Sequence, residues 1–339
     1  MTTTLPSIYF YISQFDWFSK NLPDNADVYL PFLSENGICD GEYAWTVQTY
    51  LRLKADGFPC ELIGKIPSEG IVLAHYNSLP FDFKPGPKLL IIYLKADKPP
   101  RPYAQLHVVQ NTYELKKLKN SYYIPHWLQP GLIARDPSRG KRFETVAFFG
   151  TGGNLAPELR TPSWQEQLKS LGLQWCFKNR PQWQNFSDVD AILAVRRFET
   201  TSQTSWTKEQ GAWKPPQKLY NSWFAGVPAI LGYEPAFRDQ RRSELDYIEV
   251  TSLDETILAL KRLRDDEEFR QAMVKNGQTR VEEMRPEKIV KLWRNFLIDV
   301  AVPTYEEWCN TSNASRKIFV MHKYLDIKFK GFQRRLSAR

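Results

Sequence analysis

The stretch from Trp213 to Gly232 constrains the fold more than any other part of the chain. Pro215 and Pro216 hold the backbone extended and end whatever element precedes them. Nothing from Lys218 to Ala225 breaks a helix, and Leu219, Ser222, Trp223 and Phe224 give it one packing face. Gly226 stands where a helix C-terminus takes a left-handed residue, and Pro228 follows two positions on. Val227 to Leu231 is then a short apolar run, as a strand inside a parallel sheet requires. Loop, helix, glycine turn and buried strand in this order point to an α/β protein. Lys214 and Lys218 place two ammonium groups at the mouth of the helix, where a phosphate would approach.

These residues resemble the donor-nucleotide segment of GT-B glycosyltransferases. Lys218-Leu219-Tyr220-Asn221-Ser222 stands where many members start a helix with a Lys-Leu-Phe-Glu-Tyr-like sequence. Ala225-Gly226-Val227-Pro228 matches their Ala-Gly-Xaa-Pro turn. Two positions depart from the pattern. Asn221 occupies the place of a glutamate that commonly holds the nucleotide ribose, and Trp213 replaces the glutamate found eight residues earlier in many retaining members. An amide oxygen also accepts from a hydroxyl, so Asn221 remains a candidate donor contact. Without the resemblance, the segment is an ordinary strand–loop–helix unit of any α/β protein.

A chain of 339 residues has room for two domains, each with its own core, and 25% charged residues fit a soluble globular protein. The four cysteines (Cys39, Cys60, Cys176, Cys309) and four histidines (His75, His107, His126, His322) are scattered, so no metal site and no disulfide framework is expected. No cofactor is expected. The N-terminus lacks a basic region followed by a long apolar run, and no stretch approaches the ~20 apolar residues that span a bilayer. The expected location is cytoplasmic, or peripheral on the inner face of a membrane. The net charge of +8 is uneven: residues 315–339 hold eight Lys or Arg against one acid, Asp326. The body is therefore near neutral, and nucleic acid is not an expected partner.

In chain order, Ser7–Ser13 reads as the first strand and Leu33–Gly41 as a Gly-containing loop. Glu42–Ala55 reads as a helix with Ala44, Val47, Tyr50 and Leu51 on one face. The loop resembles the GT-B loop that lies under the donor phosphates beside the acceptor, which makes Asp40 and Glu42 candidates to meet a hydroxyl; capping acids of a plain connection are the alternative. Gly70–Ala74 is a strand running into His75, a candidate acceptor contact or base, or a satisfied loop histidine. Strands at 60–63, 88–94, 104–109 and 121–124 and a short basic helix at Thr112–Lys119 complete this half.

Residues 134–142 are polar, with Pro and Gly, and read as a linker. Phe143–Phe149 restarts a strand that runs into Gly150-Thr151-Gly152-Gly153-Asn154, a turn able to hold phosphate on backbone N–H groups but lacking the dinucleotide fingerprint. Further strands are expected at Leu173–Phe177, after Asp190, and at Tyr247–Val250. Arg196 and Arg197 leave the strand after Asp190, and alternation turns one of them inward to grip diphosphate unless both are surface cations. Phe198–Gln210 reads as a polar loop able to order over a ligand. Glu234 accepts from sugar hydroxyls or caps a helix start before Pro235. In the last core helix, Ile289, Leu292, Trp293, Phe296 and Val300 form a stripe able to cross back onto the first half.

The expectation is an α/β protein of GT-B architecture, two Rossmann-like domains facing a cleft: 1–133 on the acceptor side, 143–285 binding nucleotide sugar, a crossing helix at 286–314 and a basic amphipathic tail at 315–339. The resemblance implies transfer from a nucleotide-diphosphate sugar to a saccharide or lipid-linked acceptor without a metal. Lys214, Lys218 and Arg196 or Arg197 would neutralise the leaving diphosphate. It implies retention; under inversion Asp40, Glu42 or His75 must be the base. The donor-binding set is Gly152, Gly153, Asn154, Arg196, Arg197, Lys214, Lys218, Asn221 and Glu234. A sugar-nucleotide epimerase of the same fold and a non-catalytic glycan-pathway protein are the rivals. The tail's cations interleave with Phe319, Tyr324, Leu325, Phe329 and Phe332, which suits an anionic membrane surface or a solvated end.

Overall fold

The computed structural model describes residues 5–198 and 213–337, and their strands form two wholly parallel sheets. The first contains β1 (Ile8–Tyr11), β2 (Glu61–Ile63), β3 (Glu69–His75), β4 (Lys88–Leu94), β5 (Leu106–Val109) and β6 (Ser121–Tyr123) in the order β2-β1-β3-β4-β5-β6. The second contains β7 (Thr145–Phe149), β8 (Gln174–Lys178), β9 (Ala191–Ala194), β10 (Ala229–Gly232) and β11 (Ile248–Val250) in the order β8-β7-β9-β10-β11. Counted from its own first strand, each sheet follows the same doubly wound order, the first extended by one strand. The winding direction therefore reverses between β1 and β3 and again between β7 and β9. Parallel sheets leave a crevice beyond the strand ends at such a switch point. Residues of both halves line one cleft there. Two Rossmann-like sheets facing a cleft make the α/β GT-B architecture expected from the sequence.

A parallel sheet must be covered on both faces. The first sheet has no α-helix between β2 and β6, and the far end of the chain supplies cover. The Pro286–Asn295 helix packs on the Gln48–Ala55 helix, and Val302–Asn310 packs on β3 and β4. Trp293 is fully buried and meets Trp45 edge to face at 6.1 Å. Phe296 lies 5.1 Å from Tyr122. Of the expected stripe, Leu292 stays 44% exposed on the flank. Leu297 is buried instead, where the helix widens into a π turn at Phe296–Ala301.

Several local details differ from the sequence reading. The helix expected from Glu42 starts at Asp40, after a Cys39 N-cap, and widens into a π turn over Tyr43–Val47. Thr112–Lys119 yields only a 3-10 turn, Thr112–Lys116, capped by Asn111. A helix at Phe15–Asn21 was not foreseen. The 134–142 segment is pinned to the second sheet, because Arg135 and Arg139 both hold Asp190, whose carboxylate also accepts the Glu144 and Thr145 N–H groups. Beyond Phe198, the polar loop expected at 198–210 lies outside the described residues.

Candidate active site between the two sheets

The second sheet contributes the cationic wall. After β7 the chain turns at Gly150, whose φ of +151° disfavours other residues and where an added Cβ would press the Phe148 ring at 3.0 Å. Gly152–Asn154 forms a 3-10 turn whose two glycines face open space. Asn154 Oδ1 accepts from Arg196 Nη1 at 2.6 Å, and Arg196 Nε donates to Glu234 Oε1 at 2.9 Å. Glu234 is buried at the N-cap of the Pro235–Gln240 helix, and its Oε2 has no partner among the described residues. Arg196 lines the cleft, whereas Arg197 is exposed.

Lys218 lies in the first turn of the Gln217–Ala225 helix, which ends at Gly226 with φ 68°. Its Nζ sits 5.3 Å from the Phe148 ring centroid. No hydrogen bond or ion pair engages that ammonium among the described residues. Burial pushes its pKa down to about 7, and the Arg196 and Lys214 charges push the same way against the opposing pull of Glu234. A half-buried cation with no ion-pair partner among the described residues, close to a guanidinium at a switch point, is chemically suited to an anion.

The cleft has a volume of about 350 Å³. Asp40, Gly41, His75, Tyr76, Asp97 and Gln110 line it from the first half, and Trp183, Arg196, Lys214 and Gln217 from the second. His75 ends β3 and is fully buried, which holds its imidazole neutral with a pKa lowered to about 3. Its Nε2 has no partner among the described residues and lies 2.9 Å from where a Cβ on Gly41 would be. Gly41 is thus small because the histidine packs against its backbone. Burial raises the Asp40 carboxyl despite its pairing with Arg180 at 2.7 Å across the cleft. Burial pushes Asp97 upward too, but its hydrogen bond and ion pair with Lys214 outweigh that and hold it low. Further ties cross the same boundary: Gln110 Nε2 donates to Trp213 O at 2.6 Å, the Tyr123 and Tyr220 hydroxyls meet at 3.1 Å, and the Trp213 ring lies 4.3 Å from the buried Lys95 ammonium.

Two expected contacts are occupied elsewhere. Glu42 is 1% exposed and lies beneath the cleft. It accepts from Ser78 Oγ at 2.6 Å and from the Cys39 N–H at 3.4 Å, as the helix N-terminus demands. Asn221 Oδ1 accepts from the Gln129 N–H at 3.2 Å and from Gln217 Nε2 at 3.1 Å, so its oxygen joins the two halves. Lys214 faces the cleft but is paired with Asp97. The sequence reading missed Asp97, Arg180 and Trp183. Asp97 and Arg180 follow the C-terminal ends of β4 and β8, and that position was the available signal. Among the described residues, no group of three His, Cys, Asp or Glu is placed to hold a metal ion.

No family model matches the chain, and no curated protein sequence matches it. Among solved structures it is similar to HepE of Anabaena in complex with UDP-glucose, with a TM-score of 0.49 and 11% identity over 87% of this chain and 100% of that one. It is similar to TarM of S. aureus, with a TM-score of 0.43 and 10% identity over 74% of this chain, which spans only 58% of TarM. A sucrose-phosphate synthase from Thermosynechococcus elongatus gives a TM-score of 0.42 and 12% identity, covering 76% of this chain and 78% of that one.

Proposed function

We propose that this chain is a glycosyltransferase that moves a sugar from a nucleotide-diphosphate sugar, held by residues 143–285, to a saccharide or lipid-linked acceptor, held by residues 1–133. The observation that carries this reading is Lys218, a half-buried ammonium without a carboxylate partner among the described residues: it lines a small pocket at the ends of β7 and β9, adjoining the cleft that Arg196 and Gln217 line, and it feels the Arg196 charge. As the bond from the anomeric carbon to the β-phosphate oxygen breaks, charge builds on the diphosphate. Lys218 and Arg196 stabilise that charge from fixed positions, with no metal needed in this role. The open backbone at Gly152 and Gly153 leaves the phosphates room to approach. Glu234 Oε2 and His75 Nε2, buried and without partners among the described residues, keep hydrogen-bonding capacity that sugar hydroxyls would use.

We favour retention. Under inversion, Asp40 is a better base than His75, because burial opposes the charge that His75 would acquire and raises the proton affinity of Asp40. A second reading, a non-catalytic nucleotide-sugar binder, is favoured by Trp213 and Asn221, whose side chains are committed to Lys95 and to Gln129 and Gln217.

The test is a thermal-shift screen with nucleoside diphosphates, followed by a labelled panel of nucleotide sugars with and without acceptors. Stabilisation that Lys218→Ala removes, together with transfer, supports the enzyme. Binding without turnover supports the second reading, conversion of the donor without acceptor supports an epimerase, and no binding at all overturns the donor site.

A further inference from the structure

We propose that the groove between the 84–87 loop and the start of the C-terminal helix is a docking surface for an anionic lipid bilayer. The groove is open, about 530 Å³ in volume, and Lys84, Pro85, Lys317, Val320, Met321 and Tyr324 line it. Of the groove's own lining, Met321 and Tyr324 are 52% and 49% exposed on the Asn313–Ser337 helix, and beside them Ile318 and Leu325 are 49% and 53% exposed. Their spacing puts them along one side of that helix. Four large apolar side chains half in water within eight residues form a patch rather than the scatter normal for a surface.

The groove is a built feature. Trp308 is its post: its Nε1 donates to Gly86 O at 2.9 Å, its ring lies 5.4 Å from Phe319, and its carbonyl accepts from Arg316 Nη1 at 2.9 Å. One buried tryptophan thus fixes the loop and the helix in a common frame, and Val302–Asn310 ties that frame to β4.

Charge selects the occupant. Residues 315–339 carry a net +7, while the rest of the chain is near neutral. No carboxylate lines the groove. Among the described residues neither Lys84 nor Lys317 forms an ion pair, and Lys323 and Lys328 rest on the rings of Phe319 and Tyr324 at 5.5 and 5.4 Å. Uncompensated cations flanking half-exposed apolar side chains suit the interface of an anionic bilayer, where the heads meet lipid phosphates and the stems and rings enter the acyl boundary. A second copy would bring +7 against +7, and a polyanion would leave the apolar side chains in water. No helix among the described residues is long and apolar enough to cross a membrane, so the helix lies on the surface. This surface is distinct from the cleft, and its test does not depend on donor binding.

The experiment uses the full chain, co-sedimented with vesicles of phosphatidylcholine alone or mixed equally with phosphatidylglycerol. Binding to the anionic vesicles only, weakening with added salt, is expected. Lys84→Glu with Lys317→Glu, and separately Met321→Asp with Leu325→Asp, should each lower the partition coefficient by roughly tenfold or more. Circular dichroism and nucleotide binding should stay unchanged in both. Equal binding to neutral vesicles, no binding, or full binding by both double variants overturns the proposal. So does a dimer, seen by sedimentation velocity without lipid, that Met321→Asp with Leu325→Asp dissociates, because the patch would then be an interface between copies.

Discussion

Asp97, beyond the end of β4, and Lys214, ahead of the Gln217–Ala225 helix, come from opposite walls of the cleft and form an ion pair. Each side chain keeps about a quarter of its surface exposed, at 29% and 25%. The pair is therefore partly screened and worth on the order of 1 kcal/mol. It also neutralises a cation that a diphosphate would otherwise use. Asp97→Asn should free Lys214 and tighten nucleotide-diphosphate binding by roughly fivefold, measured by isothermal titration calorimetry. Lys214→Ala should weaken binding and leave Asp97 as an uncompensated negative charge. An unchanged dissociation constant in Asp97→Asn would mean that Lys214 never leaves its partner.

Lys218, which has no ion-pair partner among the described residues, should make binding depend on pH. Free Lys218 titrates at about 7, and a bound diphosphate favours its charged form and raises that value. Affinity for a nucleotide-diphosphate sugar, whose phosphates do not titrate in this range, should be flat below pH 7. Above it, affinity should fall by up to about tenfold per unit until the complex itself loses the proton. Lys218→Ala should flatten the profile and weaken binding by roughly 10–100-fold, the worth of a charge-assisted hydrogen bond.

The same residue should cost stability. In the unfolded chain Lys218 titrates near its ordinary 10.5, but in the fold near 7. The unfolded state therefore binds the proton more tightly between these values. The penalty is complete below pH 7 and is relieved as pH rises toward 10.5. Lys218→Met should raise the midpoint of thermal unfolding at pH 6 and raise it less at pH 9, while nucleotide binding weakens as in Lys218→Ala. A gain independent of pH would point to packing rather than charge.

The strands and turns were legible because their signals are local. Lys88–Leu94 is an apolar run with the observed bounds, and Gly226 with Pro228 announced a left-handed cap that the backbone adopts. The switch points were not written in any one segment, since they depend on the order in which separate strands pair. The same holds across the cleft. Asp40 and Arg180 are 140 positions apart, and Asp97 and Lys214 are 117 apart, so no periodicity relates them. Glu42 looked like a free carboxylate because its partner, Ser78, lies 36 positions away. Alternation after β9 turned one of Arg196 and Arg197 inward without saying which, and the engagement of Arg196 with Glu234 and Asn154 depends on two further loops.

Trp293 tests whether the chain's far end covers the first sheet by packing or by charge. Its indole is fully buried against Trp45 and Phe296, and its N–H has no partner among the described residues. Three positions of helix bring the rings together, while the next residue, Arg294, pairs with Asp56 at 2.5 Å with both side chains 41% exposed. Trp293→Ala should cost about 3–5 kcal/mol in urea unfolding, as other large-to-small core changes do. Trp293→Phe keeps most of the packing and removes an N–H that bonds nothing, so it should cost far less. Arg294→Ala, which breaks an exposed pair, should cost under about 1 kcal/mol. If Arg294→Ala proved as damaging as Trp293→Ala, charge rather than apolar burial would hold the crossing helix to the first sheet.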